Sequence, residues 1–170
     1  MAAMRWRTVL ASFLLSMMLL TTACSTQPPS PYESIQQETT GRNAPEAVSQ
    51  DALAGSNFNR FFPASANGLE VVPSQEKQGF AEYKLNQGGT TVAMLSINDT
   101  TSNPASAQKF ADSTEQIAGY PAVDIGSQQT AILVSDRFQV KVQSRDDSFA
   151  RSDRVAWLEQ FDLSGLARLE

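Results

Sequence analysis

The sequence predicts an α+β fold in which one antiparallel sheet carries two helices on one face. Two observations point to this class. Apolar and polar residues alternate with a period of two in several short segments, as in half-buried strands. Two other segments have apolar residues at the three- and four-residue spacing of an amphipathic helix. Because three strands and a helix follow one another twice, the pattern also suggests an internal βββα duplication.

The first group of predicted strands lies between residues 69 and 97. Leu69–Val72 is expected to pair with residues 79–86 through a polar turn at Ser74–Gln78. Apolar residues alternate along residues 79–86, and Gly88-Gly89 then predicts a turn. Thr90–Ile97 has apolar residues on both parities, which is typical of an interior strand covered on both faces.

The first helix is predicted from Asn103-Pro104 to Ala118. An asparagine side chain can accept hydrogen bonds from the early backbone amides of a helix, and proline at the first helical position loses no needed donor. Gly119 would end the helix. Its apolar stripe comprises Ala107, Phe110, Ala111, Thr114, Ile117 and Ala118.

The second group of strands is predicted at Ala122–Ile125, Thr130–Val134 and Phe138–Val142. Ser135-Asp136 separates the last two strands closely enough for a tight hairpin. A second helix is expected from about residue 149 to residue 162, followed by a short turn. Its residues toward the sheet would be Val155, Leu158 and Phe161, with Trp157 on or beside that face.

The first 23 residues have the composition of a secretory signal. Arg5 and Arg7 precede an apolar stretch from Val9 to Leu20, and small residues then lead to Cys24, the single cysteine of the chain. About twelve apolar residues are too few for an uncleaved anchor, since a helix that spans a bilayer needs roughly twenty. The sequence therefore predicts a signal peptide over residues 1–23.

The end of this segment, Thr21-Thr22-Ala23-Cys24, resembles the lipobox of bacterial lipoproteins. The resemblance implies that the Cys24 thiol receives a diacylglycerol, that signal peptidase II removes residues 1–23, and that the new amine is acylated, for example with palmitate. Thr21 departs from the family pattern, in which leucine is commonest at that position. A signal cut at another site, with Cys24 unmodified, is the alternative.

Residues 24–56 are predicted to form the lipidated cysteine and a flexible linker. This segment is rich in Ser, Thr, Gln, Pro and Ala and has few large apolar residues, so it cannot bury enough surface to offset its ordering entropy. A coil of this length would span about 30 Å. A short helix around Ala44–Leu53 is the one element considered there. Residues 57–170 fit a single domain.

Composition excludes several classes of function. The chain has no histidine and one cysteine, so it lacks the commonest general base, the Ser-His triad and the usual zinc and copper ligands. It also lacks the spacing of a phosphate-binding glycine loop or a calcium loop. Without residues 1–23, 11 basic residues face 18 acidic ones, and this net charge of about −7 disfavours nucleic acid. We expect no catalytic residue, cofactor or metal site.

An aromatic cluster opens the predicted domain, at Phe58, Phe61 and Phe62. Its rings could pack on the core from an edge segment. Alternatively, they could form an exposed patch that contacts a partner or the bilayer interface, since clustered apolar surface marks contact sites.

Charged residues offer weaker candidates. Asp146-Asp147 lies in a predicted turn beside Arg145 and Arg151, where a solvated or helix-capping role is the simpler interpretation. Asp136-Arg137 at the hairpin tip, together with Arg151 and Arg154, could form a polar docking surface, although solvated charges explain them equally well.

The domain is similar at the level of fold to small α+β accessory domains such as the PsbP-like lipoproteins of photosynthetic membranes. This similarity and the lipobox imply a lipid-anchored protein on the extracytoplasmic face of an inner, outer or thylakoid membrane. We expect a non-catalytic binding, accessory or assembly module for an envelope or photosynthetic-membrane component, with a protein partner there. The alternative is a lipoprotein that binds a small ligand in a cleft between sheet and helix.

Overall fold

The computed structural model of the protein describes residues 49–169. Within these residues, seven antiparallel strands form one sheet in the order β1-β2-β3-β7-β6-β5-β4. The strands are β1 (Leu69–Lys77), β2 (Phe80–Gln87), β3 (Thr90–Asp99), β4 (Glu115–Ile117), β5 (Tyr120–Ile125), β6 (Gln129–Val134) and β7 (Phe138–Ser144). The helices are two 3₁₀ helices, Gly55–Phe61 and Thr100–Ser102, and three α-helices, α1 (Ala105–Gln108), α2 (Arg151–Leu158) and α3 (Leu163–Leu166). The predicted α+β class is confirmed.

Strand β3 joins the two halves of the sheet. It pairs with β2 on one side and with β7 on the other, with Leu95 opposite Val142. All six residues of 92–97 are buried, because apolar side chains on both parities meet cover on both faces of the sheet. The prediction of an interior strand is confirmed.

The main core lies on one face of the sheet. The first 3₁₀ helix, α2 and α3 pack there against alternate residues of the strands. Its largest fully buried side chains include Phe58, Phe138, Leu85, Leu95, Ile97, Ile132, Leu158 and Leu166. Each such burial contributes roughly 1.5–3 kcal/mol, so this face supplies most of the hydrophobic stabilisation of the described residues.

The opposite face carries a smaller apolar cluster around Phe110, Ala131 and Leu133. Ala131 and Leu133 alternate along β6 with side chains of the main core, so they point away from it. Ala107 and Phe110, from α1 and the loop after it, cover them. The expectation that both helices lie on one face is therefore wrong for the first of them.

The predicted helix over residues 103–118 is wrong for most of its length. Only α1 is helical, and Glu115–Ile117 forms β4 instead. The hydroxyl of Ser113 donates to the carbonyl of Ala122 at 2.5 Å, a bond that competes with helix continuation and draws the chain to the sheet edge. Ile117 is buried in the main core as a result. With β4 present, the second half has four strands, so the two halves are not matching βββα units.

Other boundaries differ by a few residues. β1 extends to Lys77, and the turn lies at Gln78-Gly79 rather than at Ser74–Gln78. The tight hairpin at Ser135-Asp136 is confirmed, with φ angles of 50° and 54° at its two central residues. The last helix is split into α2 and α3, because the Asp162 carboxylate accepts a hydrogen bond from the backbone N–H of Gly165 and starts a new helix.

The folded unit begins before residue 57, since the backbone of Leu53 already hydrogen-bonds Asp99 and Gly79. Residues 49–53 form a turn rather than the short helix considered for Ala44–Leu53, and residues 44–48 lie outside the described residues. The predicted signal peptide, Cys24 and most of the predicted linker also lie outside them. Within residues 49–169, no helix has both the length and the apolar character needed to cross a bilayer.

Candidate functional site

Two charged side chains are buried in the described part of the chain. Asp99, at the end of β3, is 1% exposed, and Arg154, in α2, is 4% exposed. Burying a charge costs several kcal/mol unless other groups compensate it. The groups around Asp99 and Arg154 must therefore supply the polar interactions that offset this cost.

Arg154 faces the sheet because it shares a helix face with Trp157 and Leu158, three and four residues later. Its guanidinium donates from Nε to Oγ1 of Thr130 in β6 and from Nη1 to Oγ of Ser144 in β7, both at 2.9 Å. The cation therefore fixes α2 against the central strands through two hydroxyl groups.

Both hydroxyl groups also act as hydrogen-bond donors. Thr130 Oγ1 donates to Oδ1 of Asp124 at 2.7 Å, and Ser144 Oγ donates to the carbonyl oxygen of Phe149 at 2.6 Å. Each hydroxyl thus accepts from Arg154 and donates to a second acceptor. The two hydroxyl donors would keep their acceptors even without the guanidinium.

Arg151 extends the network at the surface. Its guanidinium donates to Oδ2 of Asp124 at 2.6 Å and to Oε1 of Glu115 at 2.5 Å. Partial burial alone would raise the pKa of Asp124, but hydrogen bonds from Thr130 and Arg151 and the positive charges of Arg151 and Arg154 lower it. Asp124 therefore stays a carboxylate. Because these ion pairs are largely exposed, each contributes little to stability.

A cleft opens beside Arg154, between the sheet and the start of α2. It has a volume of about 240 Å³. Its walls come from the β5–β6 turn, the end of β7 and the chain leading into α2. The polar residues that line it include Gln128, Ser144, Asp146, Asp147, Arg151 and Arg154. This is a cleft between sheet and helix with convergent polar groups.

Arg154 lines this cleft. Among the described residues, Nη2 has no hydrogen-bond acceptor, whereas Nε and Nη1 each have one. In the same residues no fully buried side-chain nitrogen or oxygen lacks a partner. Nη2 is therefore not fully buried, and it is an unused donor of a residue that lines the cleft.

Asp99 is saturated with donors. Its carboxylate accepts five hydrogen bonds: two from the guanidinium of Arg137, at 2.8 and 3.1 Å, one from the backbone N–H of Leu53, and two from the N–H and hydroxyl of Thr101. Burial alone would raise the pKa of Asp99, but these hydrogen bonds outweigh it and lower the pKa to about 2. Asp99 is therefore ionised at any physiological pH.

The Asp99 network forms a clasp, which we define as Asp99, Arg137, Gln78 and residues 49–53. Arg137 also donates to the carbonyl of Asp51, and Gln78 Nε2 donates to the carbonyls of Ser49 and Ala52. The clasp ties the first described residues to the β1–β2 turn, the end of β3 and the β6–β7 hairpin. We assign it a structural role, since these hydrogen bonds all run between its own parts.

The aromatic cluster packs in the core. Phe58 is 0% exposed and meets Phe138 edge-on with ring centroids 5.9 Å apart, and Phe61 is 3% exposed. Phe62 is half-buried and stacks on Tyr83 at 4.1 Å. The interpretation as an exposed partner-contact patch does not agree with this burial, whereas packing from an edge segment describes it. Among large apolar residues of the described chain, only Val72 is exposed.

The remaining charged residues that the sequence suggested do not form one surface. Arg137 belongs to the clasp and Arg154 to the cleft, so the docking surface suggested for them together does not form. Asp146 accepts from the N–H and hydroxyl of Ser148, as expected for a turn residue. Asp153, rather than Asp146 or Asp147, caps α2, since its carboxylate accepts from the N–H of Ala150.

The sequence named Arg154 only as part of a docking surface, and it predicted burial for neither charge, although the pattern contained a signal for each. Asp99 continues the buried parity of Ala93, Leu95 and Ile97 along β3. Arg154 precedes Trp157 by one helical turn, on the face that packs on the sheet. Val155, expected on that face, is only half-buried.

Comparisons with family models, with curated proteins and with solved structures find no match to this chain. Within residues 49–169, no group of three or more acidic, cysteine or histidine side chains could hold a metal ion. The proposed function therefore rests on the geometry of the cleft and of the clasp.

Proposed function

We propose that the protein is a lipoprotein anchored through acyl chains on Cys24, whose α+β domain is a non-catalytic binding or assembly module outside the cytoplasm. In this proposal residues 1–23 are a signal peptide, and the segment after Cys24 connects the anchor to the domain. The partner would be a component of the cell envelope or of a photosynthetic membrane. Several acyl chains are needed for stable attachment, since one chain binds membranes only marginally.

The observation that carries this proposal is the position of the clasp relative to the cleft. The clasp lies at the Phe138 end of β7, and the cleft lies at its Ser144 end. Seven residues of extended strand separate these ends by about 20 Å. The first described residues thus lie at one end of the sheet and the cleft lies at the other, so in this proposal an anchored chain enters the domain away from the cleft.

A second function, binding of a small ligand, is favoured by the chemistry of the cleft. A partner-binding surface is expected to expose apolar residues, but the aromatic cluster is largely buried. A ligand site is expected to be a concave pocket with a few convergent polar groups, which describes the cleft beside Arg154. The two functions are compatible, since a ligand-binding module can also be anchored.

The anchor is tested by expressing a C-terminally tagged chain in a bacterial host and separating membranes from soluble fractions. We expect the wild-type chain in the membrane fraction, with a mass increase for the peptide that begins at Cys24. Cys24→Ala should move it to the soluble fraction. The matched control, Ser25→Ala, leaves the acylated residue intact and should remain membrane-bound.

The binding role is tested by crosslinking the same cells and identifying co-purified proteins by mass spectrometry. A defined complex recovered with the wild type but not with Cys24→Ala supports an assembly role. A wild-type chain that is not acylated contradicts the proposed anchor. An acylated wild-type chain recovered alone contradicts the assembly role and leaves the small-ligand function to be measured on the cleft.

A further inference from the structure

We propose that the cleft beside Arg154 binds a free α-amino acid, with the ligand carboxylate on the Arg154 guanidinium and the ligand ammonium facing Asp147. This inference rests on the proposed small-ligand function and names its ligand class. It follows from three properties of the cleft: a buried cation with an unused donor, carboxylates in its lining, and a small volume.

The carboxylate position follows from the hydrogen bonds that Arg154 leaves unmade. Nε and Nη1 donate to Thr130 and Ser144, both neutral, while Nη2 has no acceptor among the described residues and belongs to a side chain that lines the cleft. None of the ion pairs in residues 49–169 involves Arg154. A planar guanidinium that is already fixed by two hydroxyl groups loses little entropy on binding, and carboxylate is the anion that its geometry matches.

The ammonium position follows from the two carboxylates of the cleft. Asp146 uses Oδ1 for Ser148, whereas the side chain of Asp147 makes no hydrogen bond within the described residues. Arg151 also lines the cleft, but its charge is balanced by Asp124 and Glu115. The cleft therefore places a guanidinium that has no direct ion pair among the described residues beside two carboxylates, which suits a zwitterion.

Size and charge favour a small zwitterion over larger or purely anionic ligands. Pockets that hold drug-sized molecules have volumes of roughly 300–1,000 Å³, and this cleft, at about 240 Å³, is smaller. Inorganic phosphate would meet Arg154 but would be repelled by Asp146 and Asp147. A small amino acid fits this volume, and its ammonium group is attracted by the acidic residues.

The test is isothermal titration calorimetry on the full chain, purified from membranes in detergent. Glycine and L-alanine are the probes, and acetate, methylamine and inorganic phosphate are the comparison ligands. We expect the amino acids to bind with a dissociation constant of about 1 mM or lower. Acetate should bind about tenfold more weakly than glycine, and methylamine and phosphate should give no measurable heat at the same concentrations.

Two variants assign the contacts. Arg154→Lys keeps the charge but loses the fixed guanidinium plane, so glycine binding should weaken at least about tenfold. The matched control is Arg145→Lys, an exposed arginine outside the cleft, which should leave binding within about twofold. Asp147→Asn changes an exposed residue without a hydrogen-bonded role, so it should fold normally and weaken glycine by about three- to fivefold while leaving acetate unchanged.

Several results would overturn the inference. These are no heat with either amino acid, phosphate binding as tightly as glycine, equal effects of Arg145→Lys and Arg154→Lys, or an Asp147→Asn variant that binds glycine like the wild type. Such a failure is distinguishable from failure of the proposed function, since acylation of Cys24 and recovery of a complex from cells are measured independently of these ligands.

Discussion

Replacing Asp99 by asparagine tests whether the clasp stabilises the domain. Asparagine has nearly the same shape as aspartate, but it is neutral and offers one acceptor oxygen together with an N–H₂ donor. In the wild type both carboxylate oxygens accept, and every neighbour is a donor: the Arg137 guanidinium, the N–H of Leu53, and Thr101. The asparagine amide would therefore point donors at donors and leave Arg137 without its counter-ion.

The magnitude follows from the pKa of Asp99, which falls from 3.8 to about 2 in the fold. Each factor of ten in a dissociation constant is worth about 1.36 kcal/mol, so the carboxylate contributes roughly 2.5 kcal/mol at neutral pH. Because its folded pKa lies below the unfolded one, this contribution is complete above about pH 4 and is lost as the pH falls toward 2. The mismatched amide adds to the loss, and we expect Asp99→Asn to lower the free energy of unfolding by about 2–4 kcal/mol.

Urea unfolding followed by circular dichroism, at several pH values between 2 and 7, measures both effects. Asp99→Asn should be less stable than the wild type at pH 7, and the difference should shrink toward pH 2, where the wild-type carboxylate becomes protonated. Asp112→Asn is the matched control, since Asp112 is exposed and lies outside the clasp. A loss below about 0.5 kcal/mol at pH 7, or a difference that does not change with pH, would refute the reasoning.

Two further substitutions probe the first 3₁₀ helix by the same unfolding measurement. Gly55→Ala should cost about 1–3 kcal/mol, because a Cβ atom there would overlap the carbonyl oxygens of Lys77 and Phe80, whereas Ser56→Ala at the exposed neighbour should be neutral within about 0.5 kcal/mol. Phe58→Ala should cost about 3–5 kcal/mol as a fully buried ring is removed, and a variant as stable as the wild type would return Phe58 to the candidates for partner contact.

Much of the sheet could be predicted because the signal for a strand is local. Alternation along residues 79–86 and 138–142 reports the two faces of a strand directly, and the two-residue hairpin at Ser135-Asp136 follows from its length. The prediction of a helix over residues 103–118 was wrong because the apolar residues of this segment pack on different faces of the sheet. Phe110 packs on the second face of the sheet and Ile117 in the main core, a division set by pairing with β5 rather than by local spacing.

The burial of these two charges was not predicted, for a related reason. A charge is buried only where the fold supplies its partners, and these come from distant parts of the chain. Arg137 is 38 residues from Asp99, and Thr130 is 24 residues from Arg154. Residue type alone favours a surface position for aspartate and arginine. Parity along β3 and helical spacing in α2 indicated burial, but they could not identify the compensating groups.

The two buried charges differ in a way that separates structure from function. Asp99 fills its hydrogen-bonding capacity and keeps an ion pair, as a structural group should. Arg154 has hydroxyl partners alone and leaves Nη2 open, although an apolar side chain of similar length would avoid the cost of burying a cation.

Arg154→Met should therefore keep the free energy of unfolding within about 1 kcal/mol of the wild type, since Thr130 and Ser144 retain acceptors in Asp124 and Phe149. The same variant should lose glycine binding in calorimetry. A loss of more than about 3 kcal/mol would instead make Arg154 a structural residue, because it would mean that the hydroxyl network depends on the guanidinium.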